Sequence, residues 1–471
     1  MDSSERVENL VLGGGEPGKY IAWELAREGR RTVVVERALI GGSCPNIACL
    51  PSKNEIHSAK VAHLLRHAQA FGLRTGSVTT DMKGVRQRKR EMVDSLVEIH
   101  HKRFAANGLE FLLGEGRFVG PRTVEVRLAA GGMRRIEAER VFLDLGTQAT
   151  VPGIPGLADA APLTHVEALE LDRLPEHLIV LGGGYVGVEF AQAFRRFGSR
   201  VTVVEFGRQL MAREDPDVAE AVRAIFEDDG IDVVLGAETR AVEGRSGDRV
   251  HFHLRTAAGE RVIDGSDVLV AAGRTPNTRG IGLELAGVEF GPHGYVTVNE
   301  RLETTALGIW AMGECAGSPQ FTHAAFDDFR VVRDNLAGGK RTTHGRLVPY
   351  CVFIDPELAR VGLNESEARQ KRMDVRVVTL PMASVLRARS LGEMRGFMKA
   401  LLDTHSDRIL GFTMLGPEAG EVGAVVQTAM LAGLPYTGLR DAIFTHPTMA
   451  EGLNVLFANV PAARRQGNHD V

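Results

Sequence analysis

Apolar residues along this chain follow two spacings that replace one another repeatedly. Short continuous apolar runs alternate with stretches whose apolar residues recur at helical spacing, which predicts parallel strands joined by helices. The run NLVLGGG at 9–15 reads as a buried strand entering a glycine turn. KYIAWELAREG at 19–29 is the helix that follows, and RTVVVE at 31–36 the next strand. Helical periodicity returns over 54–71 and 85–105, where the run RQRKR at 86–90 reads as a solvated face. A β-rich passage follows, with GEGRF at 114–118 and two arms around a turn at Ala130, Gly131 and Gly132. It leads to the apolar strand VFLDLG at 141–146, and Pro152 and Pro155 then mark a boundary.

The opening pattern now repeats. Gly13-x-Gly15-x-x-Gly18 ends one strand and begins one helix, and Gly182-x-Gly184-x-x-Gly187 does the same in LIVLGGGYVGVEF. Glu36 follows Gly13 at the same distance as Glu205 follows Gly182. Such glycines permit a tight turn, close approach of a pyrophosphate and close helix packing, while the terminal acid can accept ribose hydroxyls. Two such units predict two dinucleotide-binding folds. The second continues through RVHFHLR and DVLVAAGRTPN to about residue 277. LGIWAMGEC reads as a strand entering a loop that holds Glu314, and a helix beginning near Thr322 turns its positive end toward a bound cofactor. From residue 346 the apolar alternation of VRVVTL, GFMKALLD and RILGFTMLG, followed by two helices, predicts a separate α+β unit able to bury an oligomer interface. The expected fold is therefore α/β, with two Rossmann-like domains and a C-terminal α+β domain. The expected divisions are 1–150, 151–277, 278–345 and 346–471.

Composition narrows the function. A chain of 471 residues exceeds a single ordinary core. A net charge of −4 argues against general nucleic-acid binding. The N-terminus lacks the pattern of a signal peptide, and no apolar run is long enough to span a membrane, so a cytoplasmic location is expected. Residues 463–471 read as a loose polar tail. Four cysteines in so long a chain form no secreted disulfide framework.

Two of those cysteines, Cys44 and Cys49, stand in GGSCPNIACLPSKN directly before Pro51, Ser52 and Lys53. Two buried, inert cysteines would be the plain reading of an isolated CxxxxC pair. The glycine motif and Glu36 just upstream favour a reactive pair in a reducing compartment. If this segment starts a helix, the two lie about one and a half turns apart, so a bond between them requires an irregular first turn.

These motifs, in this order over about residues 8–460, resemble the flavin-dependent pyridine-nucleotide disulfide oxidoreductases, which include dihydrolipoyl dehydrogenase, glutathione reductase and mercuric reductase. The resemblance implies that Gly13, Gly15, Gly18 and Glu36 bind FAD and that Glu314 and Lys53 lie against it, with Gly42, Ser43, Gly116, Gly146 and Gly273 as further cofactor-binding residues. Glu314 stands where the family usually has Asp. Gly182, Gly184, Gly187 and Glu205 then bind the nicotinamide dinucleotide, and Tyr185 matches an aromatic gate over it. The resemblance makes Cys44 and Cys49 a redox disulfide, with Cys49 the flavin-proximal thiol and Cys44 the interchange thiol. Lys53 matches the lysine near flavin N5, and Glu189 its carboxylate partner. His446 and Glu451 in HPTMAE match an acid–base dyad contributed across a homodimer with shared active sites. No metal site is expected.

The electron acceptor is a small molecule of open identity. The chain resembles mercuric reductase but has no cysteine after Cys351, which removes the C-terminal pair that would pass on a soft metal. Dihydrolipoyl dehydrogenase and a slow-turnover redox-sensing flavoprotein are the alternatives. Glu205 favours NADH over NADPH, whose 2′-phosphate would meet a carboxylate. Arg208, three residues on, is the cation that could admit NADPH.

Overall fold

The computed structural model describes residues 4–106 and 108–462; the expected polar tail lies outside them. The first unit begins with strand β1 (Glu5–Leu12), helix α1 (Glu16–Arg27) and strand β2 (Thr32–Glu36). All five side chains of β2 are buried, as a strand covered on both faces requires. Helices α2 (Ser43–Asn46), α3 (Cys49–Arg66) and α4 (Met82–Ala106) precede β3 (Glu110–Gly120), β4 (Thr123–Leu128) and β5 (Met133–Leu143). The parallel strands run in the order β3, β2, β1, β5 and Ile309–Ala311. β4 pairs antiparallel with β3 and β5, closing the predicted hairpin at 129–132.

Strand β6 (Thr147–Ala149) leaves this unit and pairs antiparallel with Arg274–Pro276, so the chain exits and returns side by side. Between them lie α5 (His165–Ala168), β7 (His177–Leu181), α6 (Tyr185–Phe197), β8 (Arg200–Val204), α7 (Pro216–Asp228) and β9 (Asp232–Val234). Their sheet is parallel, in the order Asp267–Val270, β7, β8, β9. Helix α8 (Thr322–Leu336) then returns to the first unit.

The last unit is a five-stranded antiparallel sheet backed by the helix Ala419–Leu431, with Met398, Phe412 and Met414 in its core. The fully buried Lys399 holds this sheet to the second unit, 2.9 Å from Asp215 and 2.8 Å from Asp217. Glu365 lies 3.0 Å from the same ammonium. The architecture is the α/β fold with two Rossmann-like units and an α+β unit that the periodicity predicts.

One expectation fails. RQRKR is not simply a solvated face, because Lys89 within it is 1% exposed. Its ammonium donates to the Leu169 carbonyl and, at 2.6 Å, to Glu170, both in the second unit. It also lies 3.9 Å from the buried Glu55. Arg88 donates to the side chain and carbonyl of Asn54 at 2.6 and 2.9 Å. Asn54 and Glu55, the two residues after Lys53, are therefore answered by the basic run, and periodicity alone could not reveal that.

Candidate functional site

The cysteine segment has the irregularity that the spacing demands. α2 stops after Asn46, Ile47 and Ala48 leave the helical region with φ near −139° and −133°, and α3 restarts at Cys49. Asn46 fixes the short helix by donating to the carbonyls of Ile40 and Gly42 at 2.9 and 2.7 Å. The break sets Cys44 and Cys49 so that each thiol is the largest electrostatic influence on the other. Both are free cysteines here.

Their electrostatics differ. The hydrogen bond from Cys44 is the largest influence on Cys49 and lowers its thiol to about 6, with further help from Thr322 and Lys53. Cys44 is driven upward, first by that same hydrogen bond and then by burial. The pair thus favours a Cys49 thiolate held by a Cys44 thiol. Thr322 Oγ1 lies 3.3 Å from Cys49 Sγ, at the N-terminus of α8, where the helix dipole supports negative charge. Cys315, fully buried, is pushed up to about 12 and is inert by comparison.

One turn along α3, Lys53 places Nζ 2.6 Å from Glu189 on α6. Glu189 also accepts from the Phe353 backbone at 2.8 Å, and the Phe353 ring lies 4.9 Å from the ammonium. Three units of the chain therefore meet at this ion pair.

The two glycine loops are built alike. A Cβ on Gly13 would come within 1.9 Å of the Asp144 carbonyl oxygen, and one on Gly182 within 2.5 Å of the Ala271 carbonyl oxygen. Gly18 and Gly187 pack as closely on the carbonyls of Gly13 and Gly182. Glu36 accepts from Gly14 N at 2.8 Å and from Ala38 and Leu39. Glu205 accepts from Gly183 N and Gly207 N, both at 2.6 Å. Gly15 and Gly184 begin α1 and α6 without a side-chain cap, leaving those amides for an anion. Two glycine cradles, each with a terminal carboxylate, fit two dinucleotides.

The other expected residues have diverse settings. Gly42 approaches the Gly15 backbone at positive φ, and the exposed Ser43 opens α2. Gly146 and Gly273 lie in open space beside the β6 pairing, where Gly146 accepts from Asn277 N and Gly273 from Thr150 N. Glu314 accepts from Thr147 Oγ1 and pairs with Arg274 at 3.2 Å, tying this crossing together. Gly116 sits on β3 among Leu12, Val35 and Val124, an apolar setting. Tyr185, the first residue of α6, donates to Glu214 at 2.7 Å.

His446 Nδ1 lies 2.9 and 3.0 Å from the Glu451 carboxylate oxygens, with the imidazole exposed at the edge of the last unit. Among the described residues no hydrogen bond or ion pair joins this dyad to Cys44 or Cys49. The sequence reading missed Asp144, which accepts from Gly18 N at 3.0 Å beneath the first loop. Desolvation there pushes its carboxyl well above the usual range. The acid within VFLDLG, an otherwise apolar strand end, was the available signal.

Comparison with known proteins matches this geometry to one family. Residues 8–328 match the sequence model of the pyridine nucleotide-disulphide oxidoreductases, and 348–456 match that family's dimerisation domain. The probable pyridine nucleotide-disulfide oxidoreductase RclA of Escherichia coli is 38% identical over 97% of this chain and 99% of its own length. Its solved structure, described as an HOCl-induced flavoprotein disulfide reductase, superposes with a TM-score of 0.87 at 38% identity, covering 96% of this chain and 100% of that one. A mercuric reductase of Acidithiobacillus ferrooxidans is 35% identical over 96% of this chain and 82% of its own. A dihydrolipoyl dehydrogenase of Thermus scotoductus is 34% identical over 94% and 95%. With its duplicated glycine cradles, paired cysteines and separate antiparallel unit, this chain belongs to the pyridine nucleotide-disulphide oxidoreductase family of flavoproteins.

Proposed function

We propose that this chain uses Cys44 and Cys49 as a redox pair that passes electrons from a nicotinamide dinucleotide, through FAD, to a small thiol, disulfide or related acceptor. The observation that carries this reading is Cys49 at the restart of a broken helix, 3.3 Å from Thr322 and one turn before the Lys53–Glu189 pair, with its thiol lowered to about 6. Gly13, Gly15, Gly18 and Glu36 would hold FAD, and Gly182, Gly184, Gly187 and Glu205 the nucleotide. The bound flavin supplies the relay of an electron pair between nicotinamide and cysteines. Lys53, oriented by Glu189, sets positive charge at the junction. Cys44 is the thiol that meets the acceptor, and His446, oriented by Glu451, moves its proton from the partner subunit of a homodimer. NADH is the preferred donor because Glu205 faces the ribose end of the second cradle.

The acceptor class follows from the relatives. RclA is described as a disulfide reductase and other relatives as mercuric reductases, so disulfides and soft metal ions are the two classes to separate. The likeness to RclA, 38% identical over 97% of this chain and 99% of that one, favours the disulfide. Steady-state turnover of FAD-loaded protein with lipoamide, oxidised glutathione, a quinone, oxygen and mercuric ion in excess thiol tests this. Turnover with a disulfide that is lost in Cys44→Ser supports it. Reduction of metal alone, or stable partner capture without turnover, overturns it in favour of a metal reductase or a redox sensor.

A further inference from the structure

Four rings form a column between the two nucleotide cradles. His323 and Phe321 stack at 5.4 Å, Phe321 and Tyr350 at 5.5 Å, and Tyr350 and Tyr185 at 5.3 Å. The column starts at the N-terminus of α8, where Thr322 touches Cys49, and ends at the first residue of α6. It therefore spans from the neighbour of Cys49 to the residue that follows Gly184 in the second glycine loop.

The end of the column is fastened by a buried acid. Tyr185 and Tyr350 both donate their hydroxyls to the same oxygen of Glu214, a residue 3% exposed. The second Glu214 oxygen has no hydrogen-bond partner and faces Arg360 Nε at 3.7 Å. Arg360 also lies over the Tyr350 ring at 5.3 Å and pairs with Glu367 at 3.2 Å. Burial raises both phenols, so they remain donors. A hydrogen bond to a carboxylate away from water is among the stronger side-chain contacts.

We propose that Glu214 is a positioning residue that latches Tyr185, with Tyr350, into the gap between the cradles, so that nicotinamide nucleotide must break the latch to bind productively. The last antiparallel unit contributes Tyr350 and Arg360, and through them it biases nucleotide entry. This rests on reading the second glycine loop as the nicotinamide site. The latch closes against the nucleotide, so weakening it tightens apparent binding and leaves the chemical step alone.

Anaerobic stopped-flow reduction of the FAD-loaded enzyme across a nucleotide concentration series separates apparent Kd from the limiting rate. Tyr185→Phe keeps the ring and loses the latch; Glu214→Gln keeps an acceptor and loses the charge. Each should lower apparent Kd by about 3- to 10-fold, and with Glu214→Gln the limiting rate should stay within about twofold of the parent. Tyr350→Phe should shift it in the same direction. The double variant Tyr185→Phe with Glu214→Gln should gain little over either single change, because both remove one contact. A merely structural role would instead lower flavin retention and the limiting rate, and that result overturns the proposal. If Tyr185→Ala changes nucleotide binding while Glu214→Gln and Tyr350→Phe do not, the latch alone fails. If Tyr185→Ala changes nothing, Tyr185 does not face the nucleotide, and both the latch and the site reading fail.

Discussion

Lys53 and Glu189 meet at 2.6 Å although they belong to different nucleotide-binding units, one on the cysteine-bearing helix and the other on the helix after the second glycine loop. The carboxylate is nearly buried and the ammonium about one-third exposed, with side-chain exposures of 8% and 31%. Glu189→Gln preserves shape but removes the charge that orients Lys53. Flavin reduction by nucleotide should slow by about tenfold, corresponding to roughly 1.4 kcal/mol of barrier. Single-turnover reduction measures this, and an unchanged rate would make the pair purely architectural.

The cysteine pair should titrate asymmetrically. With Cys49 lowered to about 6, the long-wavelength thiolate-to-flavin band of the two-electron-reduced enzyme should be full above that pH and disappear below it. Cys49→Ser should abolish the band. Cys44→Ser removes the strongest cause of the lowered value, so its band should titrate at higher pH and appear without reductant. Spectra of all three proteins from pH 5 to pH 9 would decide, and identical titrations would reject the assignment.

The exposed dyad at His446 and Glu451 should serve a partner subunit. His446→Ala should slow acceptor turnover by about 100-fold and leave direct flavin reduction much less affected. Mixed dimers of Cys44→Ser and His446→Ala subunits should regain part of the activity. Demonstrated heterodimers without recovery would place both groups in one chain.

Nucleotide preference should follow Glu205. Catalytic efficiency should be higher with NADH than with NADPH, and Glu205→Ala should narrow the difference. Adding Arg208→Ala should weaken the remaining use of NADPH. A tenfold advantage for NADPH in the parent enzyme would make Arg208 the dominant contact.

Glu55 should impose a pH dependence on stability. Burial raises its carboxyl from 4.5 to about 8, with Lys89 opposing part of the rise. Because the folded value exceeds the unfolded one, the neutral acid costs nothing below about pH 4.5. Stability then falls as pH rises toward 8 and the fold withholds ionisation. Glu55→Gln should flatten the thermal midpoint over that window and raise it most near pH 8. A parallel decline in both proteins would assign the effect elsewhere.

Much of this organisation is legible in the sequence because it repeats or obeys a backbone requirement. Gly13 and Gly182 must avoid a Cβ, Glu36 and Glu205 end equivalent strands, and the Cys44–Cys49 spacing demands a broken helix. Contacts without a local pattern stay hidden. Nothing near Lys89 announces that Leu169 and Glu170 will cover it, and nothing near Glu214 announces Tyr350. Asn46 looks like a variation between cysteines until its amide is found holding two carbonyls. Such long-range polar pairings depend on how the units close on one another, which neither periodicity nor motif spacing encodes.

The joint at Lys89 limits what can move. Swinging the second unit away from the first as a rigid body would strip the ammonium of its carbonyl and Glu170, leaving it beside Glu55 in a newly wetted seam. Lys89 is 1% exposed but Glu170 is already 43% exposed, so opening there gives up the carbonyl contact and a half-solvated ion pair rather than a buried one. The joint therefore biases the two units toward their closed arrangement, and side-chain rotation is a route of entry that leaves it intact.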